Sequence, residues 1–250
     1  MIGVLLGLTI GSFLNVVIAR LPEHRGLGGR SACPQCGAPI AWYDNVPLLS
    51  FVALRGRCRR CRAGIPWRYP IVEALTAVLF GFAFTRFVEP LELVSVAIFI
   101  SALIAITGID LAHQIIPDVI SLPGIALGFL ASLATRRVDW IESLIGIVIG
   151  GGIFWIIIRA SVLVLGREGM GGGDVKLGAM LGAFLGWKVV LVAIFVAVVG
   201  GGIVATALLA LDLTRRKDPI PFGPFLALGG IVGLFWGDRL LAWYMRGFTF

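Results

Sequence analysis

Asp174 closes a glycine-rich turn in the run Gly169-Met170-Gly171-Gly172-Gly173-Asp174-Val175-Lys176, which delivers one carboxylate to the head of an apolar segment. A carboxylate beside a membrane is costly, and a paired one marks function. The partner candidate is Asp110, in Gly108-Ile109-Asp110-Leu111-Ala112-His113-Gln114-Ile115-Ile116-Pro117-Asp118, wedged between two hydrophobic segments. Two carboxylates held close together cannot both ionise cheaply, so one keeps a proton and the pair supplies acid and base together. One can activate water against an amide carbonyl while the other protonates, which is aspartic-protease chemistry without a metal or covalent intermediate. Asp174 opens a helix, where the backbone dipole favours negative charge, whereas Asp110 ends one, where it does not. That argument makes Asp174 the ionised member and Asp110 the proton carrier of a pair that titrates as a unit.

Asp118 competes for the partner role, but its position after Pro117 and before an apolar run is that of a helix N-cap. Gly171 and Gly173 allow positive φ and the close approach of an extended peptide backbone to Asp174; an ordinary flexible loop is the alternative for this stretch. A phosphate loop is disfavoured, because no Gly-Lys-Ser/Thr follows and no strand precedes. His24 and His113 have no Ser or Cys arrangement that implies a triad. Lys176 is placed to act on a carboxylate or on lipid phosphate.

A second cluster consists of Cys33, Cys36, Cys58 and Cys61, two Cys-x2-Cys pairs separated by a 21-residue spacer. Each pair can present two thiolates from one turn, and two turns close a tetrahedral structural zinc site. Two disulfides are the alternative, which a reducing cytosol disfavours. Four thiolates leave no open position for substrate, and a metal staple suits a block too short of aliphatic residues to build a core. Near the cysteines, Trp42-Tyr43-Asp44-Asn45-Val46-Pro47 and Arg68-Tyr69-Pro70-Ile71-Val72-Glu73 stand out. Glu73 lies just inside a span, where it either pairs with an arginine or meets a substrate amine.

The elements that must position these groups are membrane helices. Of 250 residues 58% are apolar and 14% charged, far from the ~45–50% apolar share of soluble domains. Apolar runs at residues 1–19, 70–88, 91–109, 119–134, 141–165, 175–186, 189–211 and 222–244 give an all-α polytopic membrane protein of about eight transmembrane helices. The first run has no preceding basic region and no small-residue cleavage site, so it reads as a retained span. Residues 175–186 are short for a ~30 Å core and are tilted, buried or re-entrant. Their Gly178, Gly182 and Gly186 form a double GxxxG ladder for close packing, and Gly124/Gly128 and Gly7/Gly11 offer similar notches. The domain division follows as 1–19 first helix, 20–69 cysteine-bearing insert, and 70–250 the membrane portion with the aspartates.

Nine of the 21 Lys and Arg residues lie between Arg20 and Arg68, opposed only by Glu23 and Asp44. Positive loops stay in the cytoplasm, which puts the insert inside and both termini outside. Asp110 and Asp174 then fall at the same cytosolic boundary, with Arg136-Arg137 in an outside loop as the exception. The +7 charge does not point to nucleic acid, since no stacking aromatics interleave these arginines. A transporter is disfavoured because its acids would sit near span centres in two similar halves. A zinc-bearing scaffold without activity would leave the glycine-aspartate turn unexplained.

The chain resembles the bacterial type IV prepilin peptidases through Gly11-Ser12-Phe13-Leu14-Asn15-Val16-Val17-Ile18, the two cysteine pairs, Trp42 to Ser50 and Leu54-Arg55-Gly56-Arg57-Cys58. Asp110 with Ile116-Pro117-Asp118, Gly171-Gly172-Gly173-Asp174 and Pro221-Phe222-Gly223-Pro224-Phe225 match that family's peptidase portion. Presenilin-like proteases share the glycine-aspartate turn but not the cysteine block. The resemblance implies a GxGD aspartic protease of the bacterial inner membrane, with its active site at the cytosolic face and membrane lipid around it. Its substrates would be prepilins and type II secretion pseudopilins, cleaved after a glycine that ends a basic leader. It also implies N-methylation of the new N-terminus, often phenylalanine, with S-adenosylmethionine, for which Asn45 and Glu73 are the contact candidates on this chain. Net-positive cytosolic loops would not attract a basic leader, so Asp110, Asp118, Glu168 and Asp174 are the groups available to do so.

Overall fold

The computed structural model describes residues 1–166, 170–213 and 220–247. Glu168, Gly169 and the basic run Thr214-Arg215-Arg216-Lys217 lie outside the described residues. Helices account for the regular structure: α1 (Ile2–Arg20), α2 (Leu49–Ala53), α3 (Arg68–Arg86), α4 (Pro90–His113), α5 (Asp118–Ala134), α6 (Trp140–Leu165), α7 (Gly172–Ala210) and α8 (Gly223–Arg246), with a 3-10 turn at Trp42–Asn45. Among the described residues, six helices are long and apolar enough to cross a membrane, and α5, at 17 residues, is a shorter apolar helix.

α7 is two helical arms. A straight helix of 39 residues would be ~58 Å long, about twice a hydrocarbon core. Gly186 breaks it, with φ 75° and ψ 167°, a conformation open to glycine alone. Gly178 and Val190, on either side of the break, both lie against Gly150 of α6. Twelve residues of straight helix would hold them ~18 Å apart, so the chain folds back at Gly186. The eight apolar segments expected from the sequence are therefore all present, and the chain reverses at Gly186, between the runs 175–186 and 189–211.

The chain divides into two compact units, Met1–Ala105 and Ile106–Phe250. In the first unit α1 and α3 run antiparallel through the glycines of α1. A Cβ on Gly7 would lie 2.6 Å from the Ala77 Cα, and one on Gly11 would lie 2.8 Å from the Glu73 Cα. No side chain fits there, so the two backbones touch.

In the second unit residues 172–185 are enclosed. Leu177, Met180, Leu181 and Ala183 have no exposed surface, which selects the buried alternative for this short arm. Gly178 and Gly182 meet Gly150 and Gly146 of α6 backbone to backbone, while Met180, Ala183 and Phe184 fill the notches at Gly124 and Gly128 of α5. Leu185 and Val189 abut Gly233 of α8.

The end of this arm explains the arginine that broke the charge bias. Arg137 donates to the Phe184 carbonyl at 3.3 Å, and the Ser143 hydroxyl donates to the Ala183 carbonyl at 2.8 Å. Helix-terminal carbonyls buried in an apolar setting need such donors. At the same turn Lys188 pairs with Glu142 at 2.8 Å. Two substitutions should report on this arrangement in thermal unfolding of the detergent-solubilised protein. Gly182→Ala, which forces a methyl into the α6 backbone, should cost about 1–3 kcal/mol, and Arg137→Ala about 1–3 kcal/mol through the exposed carbonyl. Unchanged midpoints in both would show that the arm is not held this way.

Candidate active site

Asp110 lies in the last turn of α4 and Asp174 in the first turn of α7, and both are buried, at 5% and 8% exposure. They are close enough for the Asp110 charge to act on Asp174 directly, and the backbone of Gly171 hydrogen-bonds the Asp174 carboxylate. The structure thus brings together the two aspartates that the sequence paired. Asp118 is elsewhere engaged: Pro117 is the N-cap of α5, with no side-chain cap, and Lys176 donates to both Asp118 oxygens at 2.6 and 2.7 Å. The N-cap expected of Asp118 is replaced by this ion pair, which also occupies Lys176.

A third element completes the pair. The Gly223 N–H, at the start of α8, donates to Asp110 Oδ2 at 2.9 Å. A Cβ on Gly223 would stand 2.6 Å from that oxygen, so only glycine lets the helix end approach so closely. Sequence reasoning gave Gly223 no role beyond its place in Pro221-Phe222-Gly223-Pro224-Phe225, where a proline at the second helical position was the visible signal of a helix start. This hydrogen bond favours a charged Asp110, opposite in sign to the α4 dipole. The dipole argument that placed the shared proton on Asp110 therefore lacked a donor that the fold supplies.

The glycines next to Asp174 act through space. The positive φ open to Gly171 and Gly173 is not used: Gly171 has φ −79° and ψ 151°, and Gly173 is helical. Gly173 is required for packing, since a Cβ there would lie 2.8 Å from the Ile116 Cβ. Among the described residues, no atom would contact a Cβ on Gly172 within 4 Å.

The cysteine block folds as two matching knuckles. The Cys33 N–H donates to the Ala38 carbonyl at 2.9 Å, and the Cys58 N–H to the Ala63 carbonyl at 2.8 Å. All four sulfurs lie within 4.8 Å of one another, with Cys33 and Cys61 Sγ 3.8 Å apart. A tetrahedron with Zn–S bonds of ~2.3 Å has edges of about that length. The backbone N–H groups of Cys36 and Gln35 pull the Cys33 thiol down to about 6. At Cys61 the Ala63 N–H works downward, but burial and the neighbouring thiols push it up to about 11.

The second knuckle holds the aromatic turn. Arg59 donates to both Asp44 oxygens, at 2.7 and 2.6 Å, and its guanidinium stands 5.6 Å from the Tyr43 ring centre. Asn45 is exposed on this turn; the anchoring bonds come from Ser50, whose hydroxyl accepts from Val46 N–H and donates to the Tyr43 carbonyl. Glu73, buried at 9% exposure, accepts the Leu48 N–H at 2.9 Å and has the Ser12 hydroxyl within hydrogen-bonding reach. Neither is the arginine that the simpler sequence reading supplied.

Hydrogen bonding and charge from Arg59 hold the Asp44 carboxyl below the usual carboxylate range. A depressed folded-state value means stability that is present above ~3.9 and is lost as pH falls through the folded value. Acid titration followed by tryptophan fluorescence should show the insert loosening in that window, and Arg59→Ala should remove that acid-dependent step. An identical titration in the variant would rule out the clamp.

Residues 5–87 match the bacterial peptidase A24 N-terminal domain and residues 97–206 the type IV leader peptidase family. A prepilin leader peptidase/N-methyltransferase of Pseudomonas aeruginosa is 38% identical, over 97% of this chain and 92% of its own length. Proteins of the same name from Aeromonas hydrophila and Burkholderia pseudomallei are 38% and 36% identical, over 98% and 94% of this chain and 93% and 84% of their own. No solved structure matches the chain.

Proposed function

We infer that this chain, which belongs to the prepilin leader peptidase/N-methyltransferase family, removes the leader peptide of prepilins and methylates the N-terminus so exposed. It is a multi-pass membrane enzyme with both protease and methyltransferase activity. The observation that carries the peptidase reading is the Asp110–Asp174 pair, two buried carboxylates brought together at helix ends.

In the proposed reaction one carboxylate takes a proton from water as the oxygen attacks the scissile carbonyl. The other gives its proton to the carbonyl oxygen, and collapse of the adduct breaks the C–N bond and protonates the leaving amine. Asp110 and Asp174 are the catalytic residues, and Gly223 positions Asp110. Type II pseudopilins are further substrates, and cleavage follows a glycine at the cytosolic face of the bacterial inner membrane. The charge bias of residues 20–68 supports that side. Residues 70–250 carry the peptidase pair, and residues 20–69, with α1 and the start of α3 beside them, serve the methyl transfer.

The four thiolates of Cys33, Cys36, Cys58 and Cys61 would hold a structural zinc, which the sulfur spacing fits. For the second activity S-adenosylmethionine is the methyl donor implied, and when bound it supplies an electrophilic methyl group on sulfur. A cavity of about 640 Å³, open to solvent, lies between α2 and residues 64–67, and Phe51 and Trp67 line it with aromatic surface against which an adenine could lie.

Asp110→Asn and Asp174→Asn should each lower leader cleavage of a prepilin-like substrate by at least about 10³-fold without lowering the unfolding midpoint of the protein. Gly223→Ala should slow cleavage while binding substrate normally. Cleavage retained in either aspartate variant would refute the pair. Metal analysis should find a single zinc per chain, absent when Cys33 and Cys61 are both replaced by Ser, and zinc uptake by the stripped protein near neutral pH should release protons, since the Cys61 thiol at about 11 enters as a thiolate. A zinc-free native protein would overturn the metal assignment.

A further inference from the structure

Asn15 lies in an apolar helix, α1, at 3% exposure. Its Nδ2 donates to the Tyr69 carbonyl of α3 at 3.1 Å, which fixes the orientation of the amide. The Oδ1 atom is then buried with no hydrogen-bond partner, alone in that condition among the described side chains. An orphaned buried acceptor is destabilising, and an apolar side chain would avoid the cost. Something that donates a hydrogen bond belongs there.

One helical turn from this amide on the facing helices lies Glu73. Gly11 lets the α1 backbone touch the Glu73 Cα, and Ser12 reaches the carboxylate. Helical side chains lean toward their own N-terminus, so Glu73 leans along α3 toward Tyr69 and hence toward Asn15. Its one strong bond comes from the Leu48 N–H. Leu48 itself has φ 58° and ψ −47°, and the Leu49 N–H donates back to the Pro47 carbonyl at 2.7 Å. This is the rare, strained γ-turn, at a residue type that avoids positive φ. Such strain persists where the surroundings enforce it and clusters at functional sites. Leu48 also caps α2, whose Phe51 and Val52 line the aromatic cavity.

We propose that Asn15, Ser12 and Glu73 form the subsite for the free N-terminal amine of the cleaved substrate, with Glu73 as the base that prepares it for methyl transfer. The inference rests on the methyltransferase reading above. An α-ammonium offers three donors and no acceptor, and this niche offers a carboxylate and an unfilled amide oxygen. An ammonium has no lone pair, so methylation requires its proton first. That proton passes to the Glu73 carboxylate. The amine lone pair then forms the N–C bond while the C–S bond breaks, its electron pair leaving on sulfur as a neutral thioether. The positive charge moves from sulfur to the secondary ammonium product, and the Glu73 proton is released to solvent.

The test uses the full chain in detergent with two probes, a short pilin-like peptide beginning with free phenylalanine and its N-acetylated twin. Without a methyl donor, the native protein should bind the free-amine peptide about ten- to a hundredfold more tightly than the acetylated one. Asn15→Leu and Glu73→Gln should each shrink that preference to less than about threefold, with no loss of affinity for the acetylated peptide. With S-adenosylmethionine present, Glu73→Gln should lower kcat for methylation by about 10²–10⁴-fold, whereas Ser12→Ala should act mainly on KM. If the native protein methylates but both variants keep the amine preference, the subsite is refuted and the methyltransferase reading stands. If the native protein transfers no methyl group, the reading itself fails. Equal loss of affinity for both peptides, with lowered unfolding midpoints in Ser12→Ala as well as Glu73→Gln, would assign the niche to folding and would also overturn the proposal.

Discussion

The contact between Gly182 and Gly146, repeated one turn away by Gly178 and Gly150, brings two helix backbones together with no side chain between them. Between helices in lipid no hydrophobic force acts, so close van der Waals packing must do the work that apolar burial does in water. That requirement selects small residues, and here it also sets a position. Residues 172–185 form a helix of only ~21 Å. Its far end is fixed by the turn at Gly186 and by Arg137 and Ser143 on its last carbonyls. With length and far end fixed, the level of Asp174 follows. A slide by one turn would put either Asp174 or the break at Gly186 where a helical glycine now meets α6.

The aspartate pair inherits its geometry from helix ends. Asp110 and Asp174 belong to the end of α4 and the start of α7, and the Gly223 N–H brings the start of α8 onto Asp110 Oδ2. Buried carboxylates need compensation, and backbone N–H groups provide it without adding a fixed positive charge. An arginine in that position would hold Asp110 as a permanent carboxylate and would quench the exchange of a proton on which the chemistry depends. Lys176, two residues from Asp174, is instead committed to Asp118.

Much of this was legible beforehand for physical reasons. Apolar runs of a length set by the bilayer gave the helices within a few residues, and the alternation of sides brought Asp110 and Asp174 to one boundary. The GxxxG spacing announced close packing at residues 178–186, though not that α6 would answer with its own glycines. Three features were hidden because they depend on tertiary contacts: the Gly223 N–H on Asp110, the Lys176–Asp118 pair, and Arg137 on the Phe184 carbonyl. Gly171 and Gly173 show the limit in another way. Their composition suggested unusual φ, but what Gly173 supplies is absence of volume against Ile116. Asn15 carried a readable signal, an amide in an otherwise apolar span, yet only the geometry shows that one of its atoms lacks a partner.

In the first unit a different material solves the same problem of holding a polar group in place. Residues 21–67 carry too few aliphatic side chains for a core, so their order is built from directional bonds: the two cysteine knuckles, the fork of Arg59 on Asp44, and Ser50 bridging Tyr43 and Val46. These lead along the chain to Leu48, where the backbone is forced into a strained turn and its N–H meets Glu73. A relaxed Leu48 would turn that N–H elsewhere and leave the carboxylate short of a donor. The four cysteines and the buried glutamate, far apart in sequence, are thus joined by an unbroken series of short contacts. A metal held by the cysteines would stiffen the end of that series most remote from Glu73, which is where a loop so poor in apolar residues has least else to hold it.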